Sequence, residues 1–100
     1  MTTKVALWLA IRLASLVYPV DPATLEGIAW RESRYTATAQ RGTCCGAFQT
    51  ESRFSRYSCA QLKNPLVSAL EAARLLTWAQ RHCGGDGLHW YRHGHCAGHN

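Results

Sequence analysis

An acidic or amide side chain stands directly before proline twice, as Asp21-Pro22 and Asn64-Pro65, and a run with helical period follows each pair. Asp and Asn at a helix N-cap accept hydrogen bonds from the first unpaired N–H groups. Proline at the next position gives up an N–H that had no partner to lose. The two dipeptides therefore fix two helix starts. One helix runs from Pro22 to about Ser33, and a longer one from Pro65 to the stop at Gly84-Gly85. In the longer helix Leu66, Ala69, Leu70, Ala73 and Leu76 form one apolar stripe, while Glu71 and Arg74 sit at i and i+3. Ahead of both, Val5 to Val20 reads as a first helix, whose stripe of Leu9, Leu13, Leu16 and Val17, with Val5 above, is expected to pack in the core.

Gly42 and Gly46 bracket Thr43, Cys44 and Cys45 with no helical period, which predicts a tight loop. Leu88 to Arg92 reads as a short turn of helix, and a Gly- and His-rich tail follows. No internal repeat and no β hairpin is evident, so the expected architecture is a small all-α single domain. Its parts are a first helix over 1–20, a core over 21–94 and a tail over 95–100.

A hydrophobic fraction of 47% with 17% charged residues excludes a disordered chain, and 100 residues hold one compact core. Lys and Arg number eleven against six Asp and Glu, a formal charge of +5 that favours an acidic partner: nucleic acid, anionic membrane or anionic wall polymer. The apolar run after Lys4 is interrupted by Arg12, and no small-residue cleavage pattern follows before Asp21. It is also shorter than the roughly 20 apolar residues of a membrane span. A structural helix is expected there, with neither a clean signal peptide nor a transmembrane segment.

Glu32 falls seven residues after Leu25 and four after Ile28, which places a carboxylate on the apolar face of the second helix. Burial and the C-terminal end of the helix dipole both disfavour the ionised form, so the position predicts an acid kept protonated for use. Such a group can protonate a poor leaving group, such as a sugar oxygen, near neutral pH. The plainer reading is a helix-end glutamate paired with Arg31, Arg34 or another basic residue.

Taken in order, Val20-Asp21-Pro22, Glu32-Ser33, Gly46-Ala47-Phe48-Gln49, a long helix after Asn64-Pro65, and Trp90-Tyr91-Arg92-His93-Gly94 resemble the soluble lytic transglycosylases of the lysozyme superfamily. Most of the chain is covered. The family's usual motifs are Val-Asp-Pro, Glu-Ser, Gly-Leu-Met-Gln and Ala-Tyr-Asn-x-Gly. The resemblance implies that Glu32 is the catalytic acid and base, that Ser33 orients the site, that Gln49 lines a sugar cleft beside Phe48, and that Tyr91 reaches toward the glutamate. Ala47 and Phe48 replace Leu-Met, Glu51 lies near a common proline position, and Arg92 and His93 replace Asn and its neighbour, so subsite contacts differ from the family's.

It further implies cleavage of the bond between N-acetylmuramic acid and N-acetylglucosamine in peptidoglycan, with a 1,6-anhydro product and no cofactor. A hydrolytic muramidase on the same fold needs a second group, and Glu51 is the one remaining acid placed to supply it. Peptidoglycan glycan strands are the implied partner, with no specific nucleic acid. The small size suggests a phage virion component, a lysis enzyme, or an enzyme associated with a secretion apparatus, working at the periplasm or cell envelope.

Five cysteines leave at least one unpaired within the chain. Cys83 with Cys96, and Cys44 or Cys45 with Cys59, are the expected pairs, fitting an oxidising compartment. A different class remains open: His82, Cys83, His89, His93, His95, Cys96 and His99 carry enough donors for a zinc site in a small non-catalytic or nucleic-acid-binding protein. Their spacing matches no zinc finger, and a solvated tail is the simpler reading. Trp8, Trp30, Trp78 and Trp90 are expected in the core or the cleft wall.

Overall fold

A computed structural model describes residues 2–85 and 87–93. Both Asx-Pro starts form as the sequence dictates. Helix α1 spans Thr3–Val17, and α2 spans Pro22–Ser33 with the Asp21 carboxylate accepting from the Ala23 N–H. A short helix, α3 (Cys59–Leu62), begins in a Ser58/Gln61 capping box. Helix α4 (Pro65–His82) begins with Asn64 accepting from the N–H groups of Leu66 and Val67, and α5 spans Gly87–His93.

The architecture is mostly helical but not wholly so. Between α2 and α3 lie three two-residue strands, β1 (Gln40–Arg41), β2 (Cys44–Cys45) and β3 (Thr50–Glu51), paired antiparallel in that order, followed by a 3₁₀ turn at Ser52–Phe54. The sequence predicts a loop here and no hairpin. Two-residue strands are too short to show alternation, so periodicity cannot reveal them. The first hairpin turns on Gly42-Thr43, with Gly42 at φ +60°, a left-handed backbone that glycine adopts without steric cost. The register aligns Arg41 with Cys44 and Cys44 with Glu51 in one row across the sheet.

Helix α4 is the spine, packed by α1 along one side and α5 along another. Leu7, Ile11, Leu25, Ile28, Phe48 and Leu76 form the large part of the core, and alanines at 10, 14, 69, 72 and 73 fill it where α1 and α4 bury their faces. Two expectations need correction. On α1 the buried residues are Leu7, Ala10, Ile11 and Ala14, whereas Val5, Leu9, Leu13, Leu16 and Val17 face solvent. The helix carries apolar side chains on both sides, so its period alone could not say which side faces the core. None of the four tryptophans is in the core: Trp8, Trp30 and Trp78 are about half exposed and Trp90 is partly so.

On α4, Leu66 is exposed, and the buried face includes Ser68, Thr77 and Glu71. Glu71 is fully buried. Its carboxylate accepts from Arg74 Nε at 2.7 Å and Nη2 at 3.0 Å, from Ser55 Oγ at 2.6 Å and from the Arg56 N–H at 3.4 Å. The i,i+3 pair expected with Arg74 thus belongs to an interior polar knot that ties residues 55–56 to α4. Cys45 and Cys59 form a disulfide that staples β2 to α3. The expected Cys83–Cys96 pair involves residue 96, outside the described residues.

Candidate active site

The buried face of α2 carries Leu25, Ile28 and Ala29, and the next turn of that face brings Glu32 to the edge of the core. Arg34 and Tyr35 then adopt left-handed backbone (φ 53° and 62°), and the chain reverses immediately after the Glu32-Ser33 pair. Glu32 is therefore on the predicted face but at its open end, with its side chain 23% exposed. Its carboxylate lies 3.7 Å from Arg31 Nη2 and 3.6 Å from Arg41 Nη2, both longer than a direct hydrogen bond.

Glu32, Gln49 and Tyr91, far apart in sequence, line one open hollow of about 380 Å³ together with Arg41, Cys44 and Arg92. Gln49 sits on a left-handed backbone (φ 49°), a conformation that costs a residue with a Cβ on the order of 1 kcal/mol and is held by its surroundings. Its Nε2 donates to the Gly46 carbonyl at 2.9 Å, and its Oε1 accepts from Arg41 Nε at 3.3 Å. Arg41 also donates through Nη2 to the main-chain carbonyl of Glu32 at 3.0 Å. One guanidinium thus links the end of α2 to the turn that carries Gln49.

Ser33 and Phe48 support this arrangement from behind. The Ser33 hydroxyl contacts the carbonyls of Ala47 (2.7 Å) and Ala29 (3.1 Å) and accepts from the Thr36 N–H, so it fastens α2 to the 46–49 turn. The Phe48 ring is fully buried in the core, and what this residue offers the site is its carbonyl, which accepts from the Tyr91 hydroxyl at 3.1 Å. Thr50 Oγ1 stands 3.4 Å from the same hydroxyl. Tyr91 therefore reaches the site by bridging α5 to the 48–50 segment. Burial, reinforced by the nearby Glu32, Glu71 and Cys44, pushes its phenol well above the ordinary range despite the bond to Thr50.

A second hollow of about 450 Å³ shares Cys44, Gln49 and Tyr91 with the first and adds Thr50, Glu51, Phe54, Leu75 and Trp90. Phe54 is 81% exposed at its lip. The Glu51 carboxylate is held down at about 2, first by the hydrogen bonds from Arg53 (2.6 and 3.0 Å) and then by the one from Thr43 (2.7 Å). Cys44, the free thiol between the hollows, is pushed up chiefly by burial and next by Glu51.

No known protein family, curated protein or solved structure matches this chain. Sequence reasoning missed Arg41, Cys44 and Phe54 as cleft residues, whereas Trp90, expected in the core or the cleft wall, lines the second hollow. Arg41 and Cys44 could have been found only through the hairpin register that sets them side by side. Among the described residues no three His, Cys, Asp or Glu side chains gather as a metal site, and His95, Cys96 and His99 lie outside them. No helix of the described residues is long and apolar enough to cross a membrane.

Proposed function

We propose that this protein is a lysozyme-like enzyme that cleaves the glycan strand of peptidoglycan as a lytic transglycosylase, with Glu32 as acid and then base. The observation that carries the reading is the convergence of Glu32, Gln49 and Tyr91 from three separate elements on one hollow. These are the residues that the family resemblance marks out in the sequence. The two hollows adjoin along Cys44, Gln49 and Tyr91, which suits a chain of sugars, and Phe54 and Trp90 line the second with rings of the kind on which sugars stack.

In this reading protonated Glu32 gives its proton to the glycosidic oxygen as the C1–O bond breaks and positive charge develops on the muramic ring. The resulting carboxylate is balanced by the guanidinium groups of Arg31 and Arg41, near enough to attract it and too far to hold it rigidly. Glu32 then takes the proton of the muramic C6 hydroxyl, whose oxygen bonds to C1 and closes the 1,6-anhydro ring. The acid is regenerated and no water is consumed. Gln49, fixed at both ends of its amide, presents a rigid wall, and Tyr91 holds the 48–50 segment against α5.

A hydrolytic muramidase is the second reading, favoured by one observation: Glu51 is an ionised carboxylate in the adjoining hollow. Its oxygens are taken up by Arg53 and Thr43, which leaves it less able to direct a water. Digestion of purified peptidoglycan, with the released muropeptides weighed by mass spectrometry, separates the two. Anhydro products, lighter by one water and absent with Glu32→Gln, establish the transglycosylase. Reducing-end products establish the muramidase, and equal behaviour of the folded protein and its Glu32→Gln variant refutes both.

A further inference from the structure

The α1 stripe that faces solvent has no partner among the described residues. Val5, Leu9, Leu13 and Leu16 follow one another at helical spacing on the side opposite the buried Leu7, Ile11 and Ala14. Leu16 is 84% exposed, Val17 64% and Leu13 51%. Beside the stripe, Leu9, Leu13, Pro65 and Leu66 line a shallow apolar groove where α4 begins. A continuous apolar ridge of this length is uncommon on a protein surface that meets only water.

We infer that the α1 face is a docking surface for an anionic lipid bilayer, with α1 lying in the plane of the headgroups. Charge decides the occupant. Helix α1 carries Lys4 and Arg12 and no acid, Lys63 immediately precedes the groove residues Asn64 to Leu66, and the chain as a whole carries +5. Arg12 stacks over the Trp8 ring at 3.9 Å while pairing with Glu26 at 2.7 Å, and Trp8 is itself 48% exposed on the flank of the stripe.

An apolar ridge with a half-exposed tryptophan and lysines near it is the pattern of an interfacial helix. A second copy on a two-fold axis fits less well. It would bring the positive charge of two α1 helices together, with Glu26 answering Arg12 and no acid on α1 to answer Lys4.

The groove shares no lining residue with the hollows that hold Glu32, Gln49 and Tyr91, so its test is independent of the reaction. The purified protein is floated with vesicles of equimolar phosphatidylglycerol and phosphatidylcholine, and with phosphatidylcholine alone. The doubly substituted Leu13→Ser, Leu16→Ser protein is run beside it. Both positions are exposed, so the variant keeps its fold, which circular dichroism and thermal unfolding check.

The expected result is binding to the anionic vesicles, weakened by added salt, with the partition coefficient falling about tenfold or more in the variant. Failure of the native protein to bind, or binding that the variant retains, overturns the inference. So does a concentration-dependent dimer in sedimentation that the variant abolishes, since that assigns the face to a second copy. The variant should digest isolated wall as the native protein does, so failure here leaves the catalytic reading standing.

Discussion

Arg41 shows how a single residue can hold a site together. It reaches the Glu32 main-chain carbonyl with one nitrogen and the Gln49 amide with another, while standing 3.6 Å from the carboxylate. A guanidinium can do this because its donors are spread over a rigid planar fork, whereas an ammonium is a point. Arg41→Ala should therefore lower kcat/KM on solubilised glycan strands about ten- to a hundredfold while leaving thermal stability nearly unchanged, and Arg41→Lys should recover little of the loss. A positioning role appears chiefly in kcat. If only KM moves, Arg41 contacts substrate without ordering the site. The sequence brought attention to Glu32 through its distance from Leu25 and Ile28, and the same spacing overstated its burial, because helical phase says which face a residue occupies and not where the core along that face ends. Arg41 had no signal at all until β1 was seen to pair with β2.

At the scale of elements, the fully buried carboxylate among the described residues belongs to α4 and not to α2. Burial alone would raise Glu71, but hydrogen bonds from Arg74 and Ser55, the charge of Arg74 and the Arg56 N–H outweigh it and hold the group below the ordinary range. A carboxyl whose folded value is depressed stabilises the fold above its unfolded value of about 4.3, and that contribution is lost as pH falls through the folded value. Denaturant melts at successively lower pH should accordingly show stability declining from about pH 4 downward, and Glu71→Gln should flatten that slope. Arg74→Met should cost about 3–5 kcal/mol near neutral pH, since it leaves an interior charge without its bidentate partner. A variant as stable as the native protein would mean that Arg56, at 3.6 Å, suffices. Helix starts were legible because Asp21, Asn64 and the prolines act locally, and α2 and α4 begin where those residues put them. The buried face was legible on α2, where Leu25 and Ile28 are buried, and largely on α4, where Ala69, Ala73 and Leu76 are buried and Leu70 packs against the core, but not on α1. In α1 Ala10 and Ala14 join Leu7 and Ile11 inside while Leu9, Leu13, Leu16 and Val17 stand outside, and hydrophobic size, the main cue in a sequence, cannot choose the side when a helix is apolar on both and packs partly through small residues.

For the molecule as a whole, the site depends on an agreement between its two ends. Glu32 arrives from α2, early in the chain, and Tyr91 from α5, whose place is set by its seat on α4. Gly87 lies against that seat, where an added Cβ would stand 2.5 Å from Gln80 Cγ, 2.8 Å from the Gln80 nitrogen and 2.9 Å from the Leu76 carbonyl oxygen, the last two in the backbone of α4. The fully buried core is built from α1, α2 and α4 with Ala47 and Phe48, and α5 adds Tyr91 packed against it. A Gly87→Ala substitution should thus push α5 outward and draw the Tyr91 hydroxyl away from Phe48 and Thr50, while the helices beneath keep their packing. The expected outcome is a loss of wall-digesting activity of about tenfold or more, with far-ultraviolet circular dichroism nearly unchanged and only a modest fall in melting temperature. Tyr91→Phe, which removes the same hydroxyl contacts without moving the helix, should reproduce part of the loss. If Gly87→Ala abolishes folding, α5 is integral to the core; if it leaves activity intact, Tyr91 is no part of the site, and the cleft is organised by Glu32, Arg41 and Gln49 alone.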